Sequence, residues 1–324
     1  MRRFLLYVHT GRESALRALL RVAEDLSLTP VRPVLTASQV EEIRAADPRI
    51  VPEGLLGFVE GGCVDIVTGP EIPSDVELCI VLGGDGTILR ALEVTRPGDI
   101  PVHGVNLGHV GFLAESEVAQ LETTVHRLID GDYVLENRST LAVNIMDADG
   151  RVVATHWALN EASLEKADRQ RMIYVVVGID SRPVSEFGCD GVLLSTPTGS
   201  TAYAFSAGGP VMWPEVDAML VMPLAAHALF ARPMVLGRSS KVEIQVSTES
   251  PADALLTLDG RRTLDVLRGQ RVEGELSPNS VRFARLKETP FTTRLVDKFR
   301  LPVQGWRGRG PDARFADAQA AQEV

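Results

Sequence analysis

The sequence predicts two domains, an α/β domain with a parallel sheet and flanking helices, followed by an all-β antiparallel domain. Up to about residue 131, short apolar runs alternate with amphipathic helical stripes, which is the pattern of a parallel sheet covered by helices. From residue 133 onward, most segments are short strands separated by turns. The chain has 324 residues, which is enough for two domains that each bury a core.

The α/β region, residues 1–131, contains the following predicted elements in order. Strands are expected at 4–8, 63–67, 78–82 and 101–106, and helices at about 13–26, 38–46, 86–95 and 116–129. Thr10 with Glu13, and Ser38 with Glu41, fit capping boxes that open the first two helices. Residues 47–62 are expected to be an irregular connection.

The all-β region, residues 132–288, is predicted from turn signals between apolar runs. Asp147-Ala148-Asp149-Gly150 and Asp180-Ser181-Arg182-Pro183 are each flanked by runs that suit hairpin strands. One short helix is expected around 203–207. The remaining strands are expected at 191–195, 219–222, 234–236, 241–246, 254–258 and 280–286.

Charge and cysteine content exclude some classes of function. The net charge of −10 argues against general nucleic-acid binding, because phosphate would be repelled. No apolar run approaches the roughly 20 residues of a membrane span. Three cysteines without paired spacing are typical of reduced thiols, so we expect a cytoplasmic protein. The six histidines have no metal-ligand spacing, and no metal-binding residue is assigned.

One stretch combines an apolar strand with a glycine-rich turn and a following helix. It reads Leu78-Cys79-Ile80-Val81-Leu82-Gly83-Gly84-Asp85-Gly86-Thr87. The first N–H groups of a helix lack backbone partners and favour phosphate. Asp85 would repel phosphate unless it has a chemical task, so the turn is either a catalytic phosphate site or a tight connection in which Asp85 caps the helix.

A second stretch, residues 188–210, takes a strand into a loop rich in Thr, Ser and Gly. Its centre reads Thr196-Pro197-Thr198-Gly199-Ser200-Thr201-Ala202-Tyr203. Small residues let a flat ring approach the backbone, and hydroxyl and N–H groups can bond to it, so the loop suits a nucleotide base. A solvent-exposed Ser/Thr turn is the alternative.

Together with Asn160-Glu161 and Asp190-Gly191, these two stretches closely resemble the NAD kinase family over residues 1–306. Asn106-Leu107-Gly108 and Gly111-Phe112-Leu113 also fit, and 299–303 fits actinobacterial members. The resemblance implies transfer of a phosphoryl group from ATP, or from polyphosphate, to the 2′-hydroxyl of the adenosine ribose of NAD. It further implies a divalent metal, usually magnesium, and assembly into dimers or tetramers. The final helix, about 293–299 within 289–306, would return to the first domain.

The resemblance also suggests roles for individual residues. Asp85 would accept the proton of the ribose hydroxyl, in a turn made close by Gly83 and Gly84. Gly86 and Thr87 would offer N–H groups to phosphate oxygens. The other expected substrate contacts are Asn160 and Glu161 for ribose, Asp190 for an amide, Arg90 and Arg171 for pyrophosphate, and Thr201, Ala202, Tyr203, Ala204, Phe205 and Ser206 for adenine.

Two other functions remain open from the residues alone. A lipid or sugar kinase could share only the glycine turn, and a regulator could bind NAD without catalysis. His227, Asp259 and Cys189 lie near the matched segments but receive no role. The composition of residues 307–324 predicts a disordered tail.

Overall fold

A computed structural model of the chain describes residues 2–69, 71–107, 111–117, 120–286 and 290–302. The predicted tail lies outside these described residues. The chain divides into two compact units: unit 1 comprises residues 1–91, 102–134 and 285–324, and unit 2 comprises 92–101 and 135–284. No described helix is long and apolar enough to cross a membrane.

The first part of the chain contains helices and strands in alternation. They are β1 (Arg2–Val8), α1 (Glu13–Ser27), β2 (Val31–Thr36), α2 (Ala37–Arg44), α3 (Leu55–Phe58), β3 (Asp65–Val67), β4 (Val76–Leu82), α4 (Asp85–Thr95), β5 (Val102–Asn106), β6 (Ser116–Glu117) and α5 (Leu121–Asp130). A π-helical turn at Val59–Cys63 follows α3, within the stretch predicted to be irregular.

Strands dominate from β7 onward, and one helix ends the described chain. They are β7 (Val134–Arg138), β8 (Leu141–Met146), β9 (Val152–Ala158), β10 (Glu161–Lys166), β11 (Ile173–Ile179), β12 (Arg182–Cys189), β13 (Gly191–Ser195), α6 (Tyr203–Ser206), β14 (Ala218–Leu224), β15 (Met234–Gly237), β16 (Val242–Val246), β17 (Ala254–Leu258), β18 (Arg262–Val266), β19 (Arg271–Leu276), β20 (Val281–Arg285) and α7 (Phe291–Phe299).

Unit 1 is built on a parallel sheet with strand order β3-β2-β1-β4-β5, to which β6 adds beside β5. Residues 78–82 of β4 are fully buried, as expected for a strand covered by helices on both faces. The chain runs outward from β1 to β2 and β3, then returns to the other side of β1 as β4. The carboxyl ends of β1 and β4 therefore form a topological switch point, where open α/β sheets bind ligands.

Unit 2 is built on two six-stranded antiparallel sheets, of orders β15-β14-β13-β10-β17-β18 and β12-β11-β16-β19-β8-β9. Strands such as β17 and β19 alternate buried and half-buried residues, and the inward side chains of both sheets form one apolar core. In β13 every residue is buried, because Leu193 packs on the opposite face in a second cluster with Ala204 and Met212.

The fold class is confirmed, including a terminal helix that belongs to unit 1, while several local predictions are wrong. Helix α1 begins after Arg12 without a side-chain cap, and Thr10 instead donates to Glu42. Helix α2 is capped by Thr36, which accepts from Gln39 N, rather than by Ser38. The second predicted turn contains only Asp180 and Ser181, since Ile179 already pairs with Arg182.

Candidate active site

The glycine turn lies at the switch point of unit 1. At the carboxyl ends of the strands, His9 N donates to Leu82 O over 3.0 Å, and Gly83 N donates to Val105 O over 3.1 Å. Thr87 is buried and packs on Gly83 so closely that a Cβ there would lie 2.4 Å from its Oγ1. Gly83 is therefore required by packing.

The Asp85 carboxylate is held on both oxygens by a loop that follows β5. Phe112 N donates to Oδ2 over 3.0 Å and Leu113 N donates to Oδ1 over 3.2 Å. A Cβ on Gly111 would lie 2.1 Å from Oδ1, so only glycine allows this approach. The two donors lie 27 and 28 residues from Asp85, so the glycine-turn motif alone does not reveal them.

The backbone of the turn is partly engaged with itself. Thr87 N donates to Gly84 O over 2.8 Å, and Ile88 N donates to the same oxygen over 3.1 Å. The N–H group of Thr87, expected to face phosphate, is thus part of the helical turn in this state. Asp85 is the first residue of α4, and its carboxylate reaches the 111–113 loop.

Two arginines, Arg12 and Arg90, lie near His9 at the same end of the sheet. Burial lowers the pKa of His9, and the charges of Arg12 and Arg90 lower it further. Arg90 was predicted from the sequence, whereas His9 and Arg12 were missed. Their position directly after β1 could have been found by asking which loops meet at the switch point.

In unit 2 a bend at Leu159 and Asn160 joins two strands, and Glu161 is the first residue after it. Strand β9 stops at Ala158 and β10 begins at Glu161. The buried Asp259 carboxylate organises the bend, accepting from Leu159 N over 3.0 Å and from Asn160 N over 2.6 Å. Arg262 Nη2 donates to Asp259 Oδ2 over 3.1 Å and to Trp157 O over 2.7 Å.

Glu161 is buried, with 5% of its surface exposed, and it pairs in register with Ser195 of β13. Burial and then the negative charge of Asp259 raise its pKa to about 8, against a backbone hydrogen bond from Tyr203. Its Oε2 has no hydrogen-bond partner within the described chain. A buried carboxyl with an open oxygen is a group ready to bond with a ligand.

Asp190 is half-exposed and lies beside a cation that sequence reasoning missed. Lys166 Nζ lies 2.6 Å from Asp190 Oδ1, and Lys166 N donates to Asp190 O. Burial raises the pKa of Tyr203, and the charges of Glu165, Glu161 and Asp190 raise it further. Tyr203 therefore stands next to the three carboxyl groups.

The Thr/Ser loop is fixed largely by its own hydroxyls. Thr196 Oγ1 donates to Leu159 O over 2.5 Å, Ser200 Oγ to Pro197 O over 2.6 Å, and Thr201 Oγ1 to Thr198 O over 3.1 Å. A Cβ on Gly199 would lie 2.0 Å from Asn160 O, which ties the loop to the bend. In these bonds the hydroxyls donate within the unit and fix the shape of the loop, and contact of the loop with a base remains a prediction.

The remaining predicted contacts differ in exposure. Tyr203, Phe205 and Ser206 are exposed and Ala202 is half-buried, whereas the side chain of Ala204 is fully buried in the second apolar cluster. Arg171 is exposed, with its Nε 3.8 Å from Asp168 Oδ2 and a 3.4 Å contact to Pro251 O. It remains a prediction that these residues touch substrate.

An α/β unit with a glycine turn at its switch point, and a β-sandwich unit with a carboxyl-rich bend, define a nucleotide-binding phosphotransferase. Residues 5–133 match the family model of the ATP-NAD kinase N-terminal domain, and residues 159–286 match that of the ATP-NAD kinase C-terminal domain. The chain belongs to the NAD kinase family.

Curated relatives agree with this family, and two solved structures share the fold. An NAD kinase of Leifsonia xyli subsp. xyli is 49% identical over 97% of this chain and 98% of that protein, and one of Mycobacterium tuberculosis is 47% identical over 95% and 99%. The chain shares its fold with yeast NADH kinase complexed with NADH (TM-score 0.77, 21% identity, 93% and 88% covered). The chain also shares its fold with an NAD kinase from Archaeoglobus fulgidus in complex with ATP (TM-score 0.66, 24% identity, 93% of this chain and 99% of that chain covered).

Proposed function

We propose that this chain transfers the terminal phosphoryl group of ATP to the 2′-hydroxyl of the adenosine ribose of NAD, with Asp85 accepting the hydroxyl proton. The observation that carries the proposal is the orientation of Asp85. Two amides fix both carboxylate oxygens, and within the described residues no basic side chain forms an ion pair with it. A carboxylate held in this way can accept a proton from a hydroxyl brought to it.

For the acceptor, we assign NAD to the bend and the Thr/Ser loop of unit 2. The unpartnered Oε2 of Glu161 can bond to a ribose hydroxyl, and the exposed Tyr203 and Phe205 can contact adenine. Asp190 can accept from an amide while Lys166 limits its negative charge. The yeast structure holds NADH, which supports a dinucleotide as the ligand of this fold.

For the donor, we favour ATP over polyphosphate. The Archaeoglobus structure contains ATP, and both matched family models carry ATP in their descriptions. Arg12 and Arg90 offer positive charge near His9, beside the glycine turn, where the phosphates of the donor would be neutralised. Parallel assays with ATP and with polyphosphate at equal phosphoanhydride concentration test this choice, and faster turnover with polyphosphate would reverse it.

A divalent metal, most simply magnesium, is proposed to arrive with the donor. The described residues contain no group of three or more His, Cys, Asp or Glu placed to hold a metal ion, so these side chains form no closed metal site. Magnesium commonly keeps substrate phosphates among its ligands. Activity should therefore follow the concentration of the metal–ATP complex, and activity unchanged by a chelator would contradict this.

One assay separates the proposed reaction from its alternatives. Purified protein is incubated with NAD, ATP and magnesium, and NADP is measured with an NADP-specific dehydrogenase. A kinase for lipids or sugars would consume ATP only with those acceptors, and a regulator would bind NAD without forming product.

We also propose a closed homo-oligomer in the cytoplasm. Soluble enzymes commonly form symmetric dimers or tetramers, and Cys63, Cys79 and Cys189 are all free thiols. Light scattering on the purified protein and fractionation of the cells test these two statements, and a monomer at micromolar concentration would contradict the first.

A further inference from the structure

The terminal helix α7 packs against the loop that holds Asp85. The ring of Phe112 lies 6.0 Å from that of Phe291 and 5.6 Å from that of Phe299, centroid to centroid, with tilted planes. Such offsets and tilts are the favoured geometry of aromatic pairs. Phe112 is 8% exposed, so it is buried within this aromatic cluster.

Phe112 is also one of the two residues whose N–H groups hold the Asp85 carboxylate. Its side chain and its backbone thus connect two features that are about 200 residues apart in the sequence. The loop has further anchors, because Arg285 Nη1 donates to Leu113 O over 2.7 Å and Glu115 N donates to Gly104 O over 3.0 Å. These two bonds hold Leu113 and Glu115. The aromatic cluster holds Phe112, the other residue that donates to Asp85.

Helix α7 itself is only partly buried. None of its nine residues falls in the fully buried class, and Phe291, Leu295 and Phe299 are half-buried. Six of its nine residues are half-buried, and Phe291 and Phe299 are the two whose rings contact Phe112. Loss of one ring would therefore free the loop at Phe112 while leaving the parallel sheet of unit 1 intact.

We propose that Phe291 and Phe299 are positioning residues for phosphoryl transfer: through Phe112 they fix the amide that holds Oδ2 of Asp85. This rests on the proposed role of Asp85 as the proton acceptor. The alternative is that α7 only adds stability. Misplacement of a reacting group by about 1 Å can cost about 100-fold in rate, so a positioning role affects kcat more than substrate binding.

The test compares Phe299→Ala in the wild-type and Asp85→Asn backgrounds, with kcat and both KM values measured well below the lowest melting temperature. In the wild type we expect kcat to fall about 10- to 100-fold, with KM for NAD and ATP changed less than about twofold. In the Asp85→Asn background we expect little further loss, because residues that act as a unit are not additive. Phe299→Leu should recover most of the activity.

The control is Leu301→Ala, which removes an exposed apolar side chain beyond the end of α7 and should leave kcat unchanged. An equal loss in both backgrounds, or a rise in KM instead of a fall in kcat, overturns the positioning role. If Phe299→Ala does not fold, the same comparison with Phe291→Leu decides by the same criteria. Near-normal turnover in Asp85→Asn itself would instead overturn the proposed function.

Discussion

The key carboxyl groups of the two units differ in how completely the protein hydrogen-bonds them. In unit 1, both oxygens of Asp85 accept backbone hydrogen bonds, so its orientation is set before any substrate arrives. In unit 2, Glu161 is buried beside Asp259, and its Oε2 has no partner in the described chain. The first arrangement suits a group that must be aimed at a reacting atom, and the second suits a group that a ligand completes.

The two carboxyl groups also place different demands on the protein: Asp85 must be oriented, whereas Glu161 must be buried. Aiming Asp85 requires glycine at position 111 and a loop held by α7. Burying Glu161 beside another carboxyl group costs free energy, which a hydrogen bond from a bound ligand can offset. We therefore expect changes in unit 1 to affect turnover and changes in unit 2 to affect NAD affinity and stability.

The largest expected effect is that of Asp85→Asn. The amide cannot accept the hydroxyl proton, so kcat should fall about 10²- to 10⁴-fold with NAD affinity retained. The amide also has only one acceptor atom for the two backbone N–H groups, so a loss of about 1–3 kcal/mol in the free energy of unfolding is expected beside the loss of kcat. Kinetics, calorimetry with NAD and urea unfolding measure the three quantities. If Asp85 only capped α4, Asp85→Ala would instead lower stability by about 1 kcal/mol and keep most of kcat.

Glu161→Ala should act on binding instead. Removal of a group that hydrogen-bonds a ligand costs about 1–3 kcal/mol, which weakens NAD binding about 5- to 150-fold while ATP binding is retained. Calorimetry with each nucleotide measures this. Glu186→Ala, on an exposed position of β12, is the control. Unchanged NAD affinity in Glu161→Ala would remove Glu161 from the site.

Asp259→Asn should weaken the same site indirectly. Asp259 accepts from Leu159 N, Asn160 N and Arg262 with its two oxygens, and an amide offers only one acceptor atom. We expect a loss of about 1–3 kcal/mol in the free energy of unfolding, together with weaker NAD binding. Asp265→Asn, exposed on β18, should change neither quantity. Stability equal to the wild type would show that the bend does not depend on Asp259.

The sequence predicted what depends on local pattern. The apolar run of β4, the turn after it and the hairpin between β8 and β9 are encoded within about 20 residues, and all three are present. Strand β2 was missed because Pro33 interrupts its β-branched pattern; β3 pairs only with residues 34–36, which leaves Pro33 at an edge position on that side. Strand β10 was missed because 161–166 contains no β-branched or aromatic residue.

The candidate site was predicted by residue but not by geometry. The motifs identified Asp85 and Glu161, yet the groups that hold them are distant in sequence: Phe112 for Asp85, and Asp259 about 100 residues after Asn160. Local patterns cannot reveal such partners. Asp259-Gly260 offered a weak signal as a turn pair, and both residues have positive φ.

The last expected effect concerns the pH dependence of stability through Glu161. Burial and the charge of Asp259 raise its pKa from the ordinary 4.5 to about 8, and Asp259 carries the hydrogen bonds of the bend, so the extra proton is placed on Glu161. The folded chain then holds this proton where the unfolded chain loses it. Its contribution is full below about pH 4.5 and is lost as the pH rises through about 8.

Glu161→Gln cannot ionise at position 161, so it does not lose this contribution as the pH rises. The difference in the free energy of unfolding, variant minus wild type, should therefore increase with pH by at most about 1.4 kcal/mol for each pH unit in this window. Urea unfolding of both proteins at three pH values between 5.5 and 7.5 measures the difference. Glu186→Gln, exposed on β12, should stay at a constant difference from the wild type. A constant difference for Glu161→Gln as well would mean that Glu161 ionises normally in the fold, and the contrast with Asp85 would then rest on hydrogen bonding alone.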